Sequence, residues 1–114
     1  MRMRVTLDTR KLDVLQTGAG KKADAILDKA AHDVEAGWKE NIILKHVIDT
    51  GAYLNSVHVE GEHKPFERVI ADGVEYGIFN EYGTSRMPAR PCAGPAVEAV
   101  KDSFFEAMAG VFKP

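Results

Sequence analysis

Four histidines and one glycine–lysine run are the first candidates for chemistry in this sequence. The histidines stand at positions 32, 46, 58 and 63, and none belongs to an HExxH or CxxC motif, the spacings that hold a zinc ion. The run "GAGKK" at 18–22 suggests a phosphate-binding loop, but that motif requires glycine where Leu15 stands and serine or threonine where Lys22 stands. We therefore predict surface histidines, a flexible connection into a helix, no metal site and no cofactor.

Groups suited to covalent or acid–base catalysis are few. Ser85 lacks the G-x-S-x-G turn of the serine hydrolases. Cys92 precedes a predicted helix, whose N-terminus can lower a thiol pKa, but no motif ties a histidine to it. Glu75 and Glu81 would stand about 20 Å apart along a strand, too far to serve as a general acid and base together. We predict a chain that is not an enzyme, with Cys92 as a small core residue; a Cys92-dependent enzyme stays as an alternative.

The segment "EYGTSRMPARP" at 81–91 has the most unusual composition, with one Gly, one Met, two Pro and two Arg. Arg86 and Arg90, with Tyr82 nearby, have the chemistry of a nucleic-acid site, although Glu81 partly offsets their charge. Tyr, Met and Arg are also enriched at protein–protein contacts, and proline lowers the cost of ordering a loop on binding. Three interpretations stay open: a protein interface, an ordinary connection from strand to helix, and a small nucleic-acid-binding site at 83–91.

Length and composition predict one folded domain over residues 1–114. The chain has 45% hydrophobic and 28% charged residues, and its 15 basic and 17 acidic residues give a net charge of −2. This balance provides no overall attraction to nucleic acid or to an anionic membrane. No apolar run approaches the ~20 residues that span a bilayer, and the N-terminal region is charged, unlike a signal peptide. A single cysteine excludes an intramolecular disulfide and favours the reducing cytoplasm.

The periodicity of the apolar residues predicts an α+β domain. Residues 2–8 alternate between apolar and polar types, as a strand does. Residues 20–44 have the spacing of a helix roughly 37 Å long, with Gly37 as the expected bend if the helix does not project toward a partner. The expected buried positions of this helix are Ala23, Ile26, Leu27, Ala30, Val34, Trp38 and Ile42.

The rest of the chain predicts three strands and a last helix. The strands are expected at 52–62, 66–72 and 74–82, with the last two joined by a hairpin turn at Asp72-Gly73. After Pro91 the helical spacing returns, with Pro95 in the first turn. The predicted fold is a small antiparallel sheet, in the order β-α-β-β-β-α, packed with one long N-terminal helix and one C-terminal helix.

Two stretches of the chain resemble a known family: "DTGAYLNS" at 49–56 and "YGIFNEYGTSRMPARPCAGPAVEA" at 76–99. The family is that of the tail-completion proteins of tailed bacteriophages, the neck or head–tail joining proteins, also called minor tail components. Its pattern has T-G-x-L-x-x-S before a strand, a Tyr leading into E-x-G-T, and P-A-x-P-F followed by P-A. The matching residues are Thr50, Gly51, Leu54, Ser56, Tyr76, Glu81, Gly83, Thr84, Pro88, Ala89, Pro91, Pro95 and Ala96. Two features depart from the pattern: an extra residue before Leu54, and Cys92 in place of the usual Phe.

The resemblance implies a non-enzymatic, structural virion protein that forms a ring, a hexamer, at the junction of tail and head. The implied partners are other copies of the chain, the tail tube or tail terminator, and head-connector proteins, with no membrane. DNA would pass through the ring without sequence-specific binding. The protein would be located in the tail or neck of the virion, after assembly in the cytoplasm of the bacterial host. The residues expected at the subunit or neck interface are Tyr76, Glu81, Tyr82, Gly83, Thr84, Arg86, Met87, Pro88, Arg90 and Pro91.

Overall fold

The computed structural model of this chain describes residues 1–6, 18–45, 50–74, 77–85 and 88–111. Its elements, in chain order, are β1 (Arg2–Thr6), α1 (Gly18–Leu44), α2 (Thr50–Ser56), β2 (His58–Val59), β3 (Glu67–Ala71), α3 (Gly77–Tyr82) and α4 (Ala93–Val111). The strands form one antiparallel sheet in the order β1-β3-β2. The predicted α+β class is confirmed, with a small antiparallel sheet, a long first helix and a C-terminal helix.

β3 is the central strand because its apolar run can be buried while both its edges are paired. Val69, Ile70 and Ala71 are all buried, and Ile70 stands opposite Met3 of β1 and Val59 of β2. Continuous burial of this kind is typical of a central strand. The strand predicted at 66–72 is confirmed, and so is the strand at 2–8 over the residues of β1; positions 7 and 8 lie outside the described residues.

α1 buries one stripe of residues spaced by three or four. The buried residues are Ala23, Leu27, Ala31, Val34, Trp38 and Ile42. Ile26 and Ala30, also expected in the core, lie half-buried at the edge of the stripe. With 27 residues the helix is about 40 Å long, against 52 Å for the longest dimension of the molecule. The predicted helix is confirmed, and an elongated molecule accommodates its length.

α4 packs antiparallel along α1, and Gly37 allows the two helices to come close. The side chain of Asn41 in α1 bonds near the start of α4, whereas Ala30 and Phe104 line a cavity together farther along both helices. A Cβ atom at Gly37 would lie 3.3 Å from the Cβ of Ala96. The glycine expected to mark a bend is therefore explained by close helix packing.

The core is centred on Trp38 of α1 and Tyr53 of α2, neither of which is exposed to solvent. Their rings meet edge to face, with centroids 6.4 Å apart and an interplanar angle of 88°. The indole Nε1–H of Trp38 donates to the Tyr53 hydroxyl at 3.0 Å, so two polar groups are paired inside the core. Cys92 lies in the same cluster, which confirms the prediction that it is a small core residue.

The predicted strand at 52–62 is wrong over most of its length. Residues Thr50–Ser56 form α2, and only His58–Val59 join the sheet as β2. The physical reason is the position of the apolar groups. Tyr53 and Val57 are the buried residues of this segment, and a spacing of four brings them to the same side of a helical turn.

The predicted return strand at 74–82 and its hairpin are also wrong. Residues Gly77–Tyr82 form the helix α3, which gives the order β-α-α-β-β-α-α. The Asp72-Gly73 pair does not begin a return strand, because the Asp72 carboxylate organises the chain here. Its Oδ1 accepts hydrogen bonds from the Val74 N–H at 3.3 Å and from the Met1 ammonium at 2.9 Å. Side-chain bonding of this kind favours a local turn over a hairpin ladder.

Candidate functional site

The connection between α3 and α4 is fixed by one buried carboxylate, that of Glu81. Its Oε1 accepts hydrogen bonds from the backbone N–H groups of Cys92 and Ala93, both at 2.9 Å, and its Oε2 accepts one from Gly94 at 3.0 Å. Glu81 is only 7% exposed. The first N–H groups of a helix lack partners within the helix, and its positive dipole end favours an anion. Glu81, which lies on a separate helix, therefore caps α4 and connects the two ends of the loop.

α3 ends at Tyr82, and Gly83 follows it in a conformation that suits glycine. Gly83 has φ of 76°, and its N–H donates to the carbonyl oxygen of Phe79 at 2.7 Å. A left-handed residue with this backbone bond is a common way to end a helix, and other residue types are strained there. Gly83 thus sets the direction in which the chain leaves α3 toward Thr84 and Ser85.

Side chains at and just after the C-terminal end of α1 donate hydrogen bonds to the last residues of the same loop. The Asn41 side-chain amide donates to the carbonyl oxygen of Cys92 at 3.0 Å, and the Lys45 ammonium donates to the carbonyl oxygen of Pro91. Together with the Glu81 carboxylate, these bonds hold the last residues of the loop from two sides. We call this part of the molecule the loop end: the C-terminal turns of α1, all of α3, and residues 83–85 and 88–91.

The loop end contains most of the predicted interface residues, and several present their side chains to solvent. Tyr82 is 73% exposed, and Thr84, Pro88 and Arg90 are exposed as well. The half-buried positions are Gly83 and Pro91, and Glu81 is occupied inside the chain. Tyr76, Arg86 and Met87 lie outside the described residues. The assignment of these ten residues to an intermolecular contact stays a prediction.

Two further groups of exposed apolar residues at the loop end were missed by sequence reasoning. Ile78 and Phe79 of α3 are 46% and 50% exposed, and with Tyr82 they form one continuous surface, which we call the α3 face. Ile43 and Leu44 at the end of α1 are 53% and 64% exposed. The sequence did contain the pattern of the α3 face, since residues spaced by three and four share one side of a helix. The pattern was missed because residues 74–82 were predicted to form a strand.

Cys92 is not placed as a reactive thiol. The residue is completely buried, and its Sγ–H lies 3.4 Å from the carbonyl oxygen of Arg90. Burial raises the pKa of the Cys92 thiol, an effect that the nearby Lys45 ammonium opposes. A thiol with a raised pKa holds its proton at neutral pH and is a poor nucleophile.

The other candidate motifs are accounted for by the fold. His32, His58 and His63 are exposed, and His46 lies outside the described residues. Within the described ranges, no three His, Cys, Asp or Glu side chains are grouped closely enough to hold a metal ion. The "GAGKK" run is the beginning of α1, so the flexible connection expected there is replaced by helix. Among the described helices, none has both the length and the apolar character needed to cross a membrane.

Comparison with known proteins identifies one family. The family model of bacteriophage HK97-gp10-like tail components matches residues 9–83, more than half of the chain. The matched range contains α1, α2, β2, β3 and α3, and it ends at Gly83, the residue directly after α3. No curated protein and no solved structure gives a significant match to the chain.

Proposed function

The chain belongs to the HK97-gp10-like family of bacteriophage tail components, and from this membership we propose that it is the structural protein that joins the phage tail to the head. In this proposal, copies of the chain form a ring, a hexamer, between the tail tube or tail terminator and the head connector. DNA passes through the ring without sequence-specific binding, and no catalysis is involved. The ring assembles in the host cytoplasm and remains in the neck of the virion.

The observation that carries the proposal is the combination of a firmly held loop end with apolar side chains exposed on it. The three hydrogen bonds to Glu81 and those from Asn41 and Lys45 hold the backbone in place. The α3 face nevertheless leaves three large apolar side chains in water. Exposed apolar patches are common at contact surfaces, and backbone that is already held in place loses little entropy on binding.

The test is genetic complementation in a phage or prophage that encodes the chain. Without the gene, we expect electron micrographs of lysates to show filled heads and separate tails, and infectious titre to fall by orders of magnitude. The wild-type gene should restore joined particles. Antibody labelling should place the protein at the neck; tails joined normally to heads without it would contradict the proposal.

A matched pair of variants tests the loop end itself. Tyr82→Lys adds a charge to the exposed α3 face, and Ala36→Lys adds the same charge to the exposed side of α1. Both proteins should unfold at the wild-type temperature, because neither position is buried. We expect Tyr82→Lys to fail in complementation and Ala36→Lys to succeed; equal success of the two variants would exclude the α3 face from tail joining.

A further inference from the structure

The connection between β2 and β3, residues 60–66, contains a strained turn. The turn is formed by residues 64–67, and the N–H of Glu67 closes it by donating to the carbonyl oxygen of Lys64 at 3.2 Å. Phe66 has a φ of 62°. Proline at the second position of a turn and a positive φ at the third are typical of a type II turn, which normally has glycine at the third position. Phe66 therefore adopts a backbone conformation that its own side chain disfavours.

The carboxylate of Asp24 in α1 holds Phe66 in this conformation. Its Oδ1 accepts hydrogen bonds at 3.0 Å from the Phe66 N–H and from Nη1 of Arg68, and its Oδ2 accepts one at 2.9 Å from Nη2 of Arg68. A left-handed residue other than glycine shifts a conformational balance by about 5- to 30-fold against itself. A hydrogen bond to a charged group is strong enough to offset a shift of that size.

A second carboxylate attaches β3 to α1 independently of the turn. Arg68 is buried at the second position of β3, and its Nε donates to Oδ1 of Asp28 at 3.0 Å. Asp28 lies one helical turn after Asp24 and bonds to the same guanidinium. β3 is also paired with β1 on one side and β2 on the other. The two acids therefore differ: both bond to the strand, and Asp24 bonds to the turn as well.

The start of the connection is also fixed without Asp24. The N–H of Glu60 donates to the carbonyl oxygen of Val69 at 2.8 Å, and its carboxylate accepts two hydrogen bonds from the Arg2 guanidinium, both at 2.8 Å. Residues 61–65, which follow, are exposed. The part of the connection that depends on Asp24 thus lies between Glu60 and Arg68.

The charged and titratable groups that face the Asp24 carboxylate come from the sheet and from the connection. Arg68 is the cation, and Nδ1 of His63 lies 3.2 Å from the Nη1 atom that bonds to Asp24. Asp28, on the same helix, shares this guanidinium. Loss of the Asp24 charge would leave Nη1 without its carboxylate partner, and both contacts of the connection, at Phe66 and at His63, would be weakened together.

From these contacts we propose that residues 61–66 form a latch, held closed by the charged Asp24 carboxylate and opened when that charge or contact is lost, while the sheet stays paired. In the open form Phe66 returns to a negative φ, and the bond between Glu67 and Lys64 is broken. Acid that neutralises Asp24 has the same effect as removing its side chain. The latch lies near the start of α1, at the opposite end of that helix from the loop end, and the inference does not rest on the proposed function.

A matched pair of variants, Asp24→Ala and Asp28→Ala, tests the latch. Each removes one carboxylate from Arg68, and the Glu67 amide is the reporter because it bonds to Lys64 and to neither acid. In hydrogen exchange measured by NMR at pH 7, we expect the Glu67 amide to exchange at least about tenfold faster in Asp24→Ala. It should stay within about threefold of wild type in Asp28→Ala, and the Ile70 amide at the centre of β3 should remain protected in both variants.

Backbone scalar couplings of residue 66 measure the strain directly. We expect a positive φ in wild type and in Asp28→Ala, and a mainly negative φ in Asp24→Ala. A third variant, Asp24→Asn, keeps the shape and one acceptor oxygen of the side chain without its charge, so its Glu67 exchange should lie between those of wild type and Asp24→Ala.

Three results would overturn the proposal. One is a Glu67 amide as protected in Asp24→Ala as in wild type, and another is Asp24→Asn behaving as wild type, since the charge would then not hold the latch. The third is loss of Ile70 protection together with that of Glu67 in both Asp24 variants, which would show that the connection and the strand open as one unit. These measurements use the purified chain without phage, so their outcome is independent of head–tail joining.

Discussion

At the scale of single residues, Glu81 links the loop to the fold. An acid next to Tyr82 and Gly83 in a sequence suggests a solvent-exposed charge, yet this carboxylate is buried and accepts three backbone hydrogen bonds. Bonds from N–H groups to a carboxylate are stronger than those between neutral groups. The residue is thus better described as the cap of α4 than as a free contact residue.

Glu81→Gln is predicted to destabilise the protein by about 1–3 kcal/mol. The amide retains one acceptor oxygen, but its NH₂ group would face a backbone N–H, leaving a donor without a partner at the start of α4. Urea unfolding followed by circular dichroism gives the change in free energy of unfolding. The matched control is Glu98→Gln on the exposed side of the same helix, which should change stability by less than about 0.5 kcal/mol. Equal effects of the two substitutions would refute the capping role.

Glu81 also shows which features of the candidate site can be predicted from the sequence and which cannot. Glu81, Tyr82, Pro88 and Arg90 were expected at an interface because of the family resemblance and the unusual composition of residues 81–91, and the structure places them together at the loop end. The internal role of Glu81 was hidden because its acceptor bonds go to residues 11–13 positions away in another helix. Such a pairing depends on how α3 packs against α4, and a local sequence pattern does not indicate that packing.

At the scale of elements, the two long helices and the strands β1 and β3 were predictable, whereas the two short helices were not. α1 and α4 extend over several turns, so their apolar spacing is repeated often enough to identify a helix. α2 and α3 have seven and six residues, too few for a helical period to be distinguished from alternation. α3 is harder still, because it turns Ile78 and Phe79 outward and Glu81 inward, the reverse of the usual pattern.

One ion-pair network attaches the sheet to α1 and leads to a prediction on pH. Arg68 of β3 is buried and bonds to both Asp24 and Asp28 of α1, at distances of 2.9–3.0 Å. The hydrogen bonds from Arg68 hold the pKa of Asp24 below its usual value, with help from the N–H of Phe66 and against the effect of burial. The stability from this group is therefore complete above the ordinary Asp pKa of about 3.9 and is lost as pH falls through the lower folded value.

We predict that Asp24→Asn reduces this dependence on acid. The variant should be less stable than wild type at pH 7, because Arg68 loses a charged partner. It should also lose less stability than wild type between about pH 4 and pH 2. Chemical unfolding at a series of pH values measures both quantities; parallel stability profiles for the two proteins would show that Asp24 does not contribute in this way.

At the scale of the whole molecule, shape and charge favour a building block over a nucleic-acid reader. The chain measures 52 × 25 × 23 Å, has a net charge of −2, and carries three acids along the solvent side of α4. The bases of the loop end are too few to form a stripe along a phosphate backbone. The alternative of a small nucleic-acid-binding protein that uses residues 83–91 therefore receives no support from the charge distribution of the described residues.

We expect no measurable binding of duplex or single-stranded DNA at about 150 mM salt. Fluorescence anisotropy with labelled oligonucleotides, repeated at about 50 mM salt, measures this directly. A strong affinity that falls steeply with salt and is lost in Arg90→Ala would favour the nucleic-acid alternative. Thermal unfolding of the same variant is the control for its folding.

The Glu81 cap has one more consequence, for exchange of segments between copies. Proteins that associate through a mobile connecting loop can swap the helix beyond it, so that α4 of one copy packs on α1 of another. Here that exchange would first break the bonds from Glu81 to the start of α4 and those from Asn41 and Lys45 to Cys92 and Pro91. These bonds therefore oppose the exchange of α4 between copies. Assemblies built from this chain are expected to dissociate into intact, folded monomers.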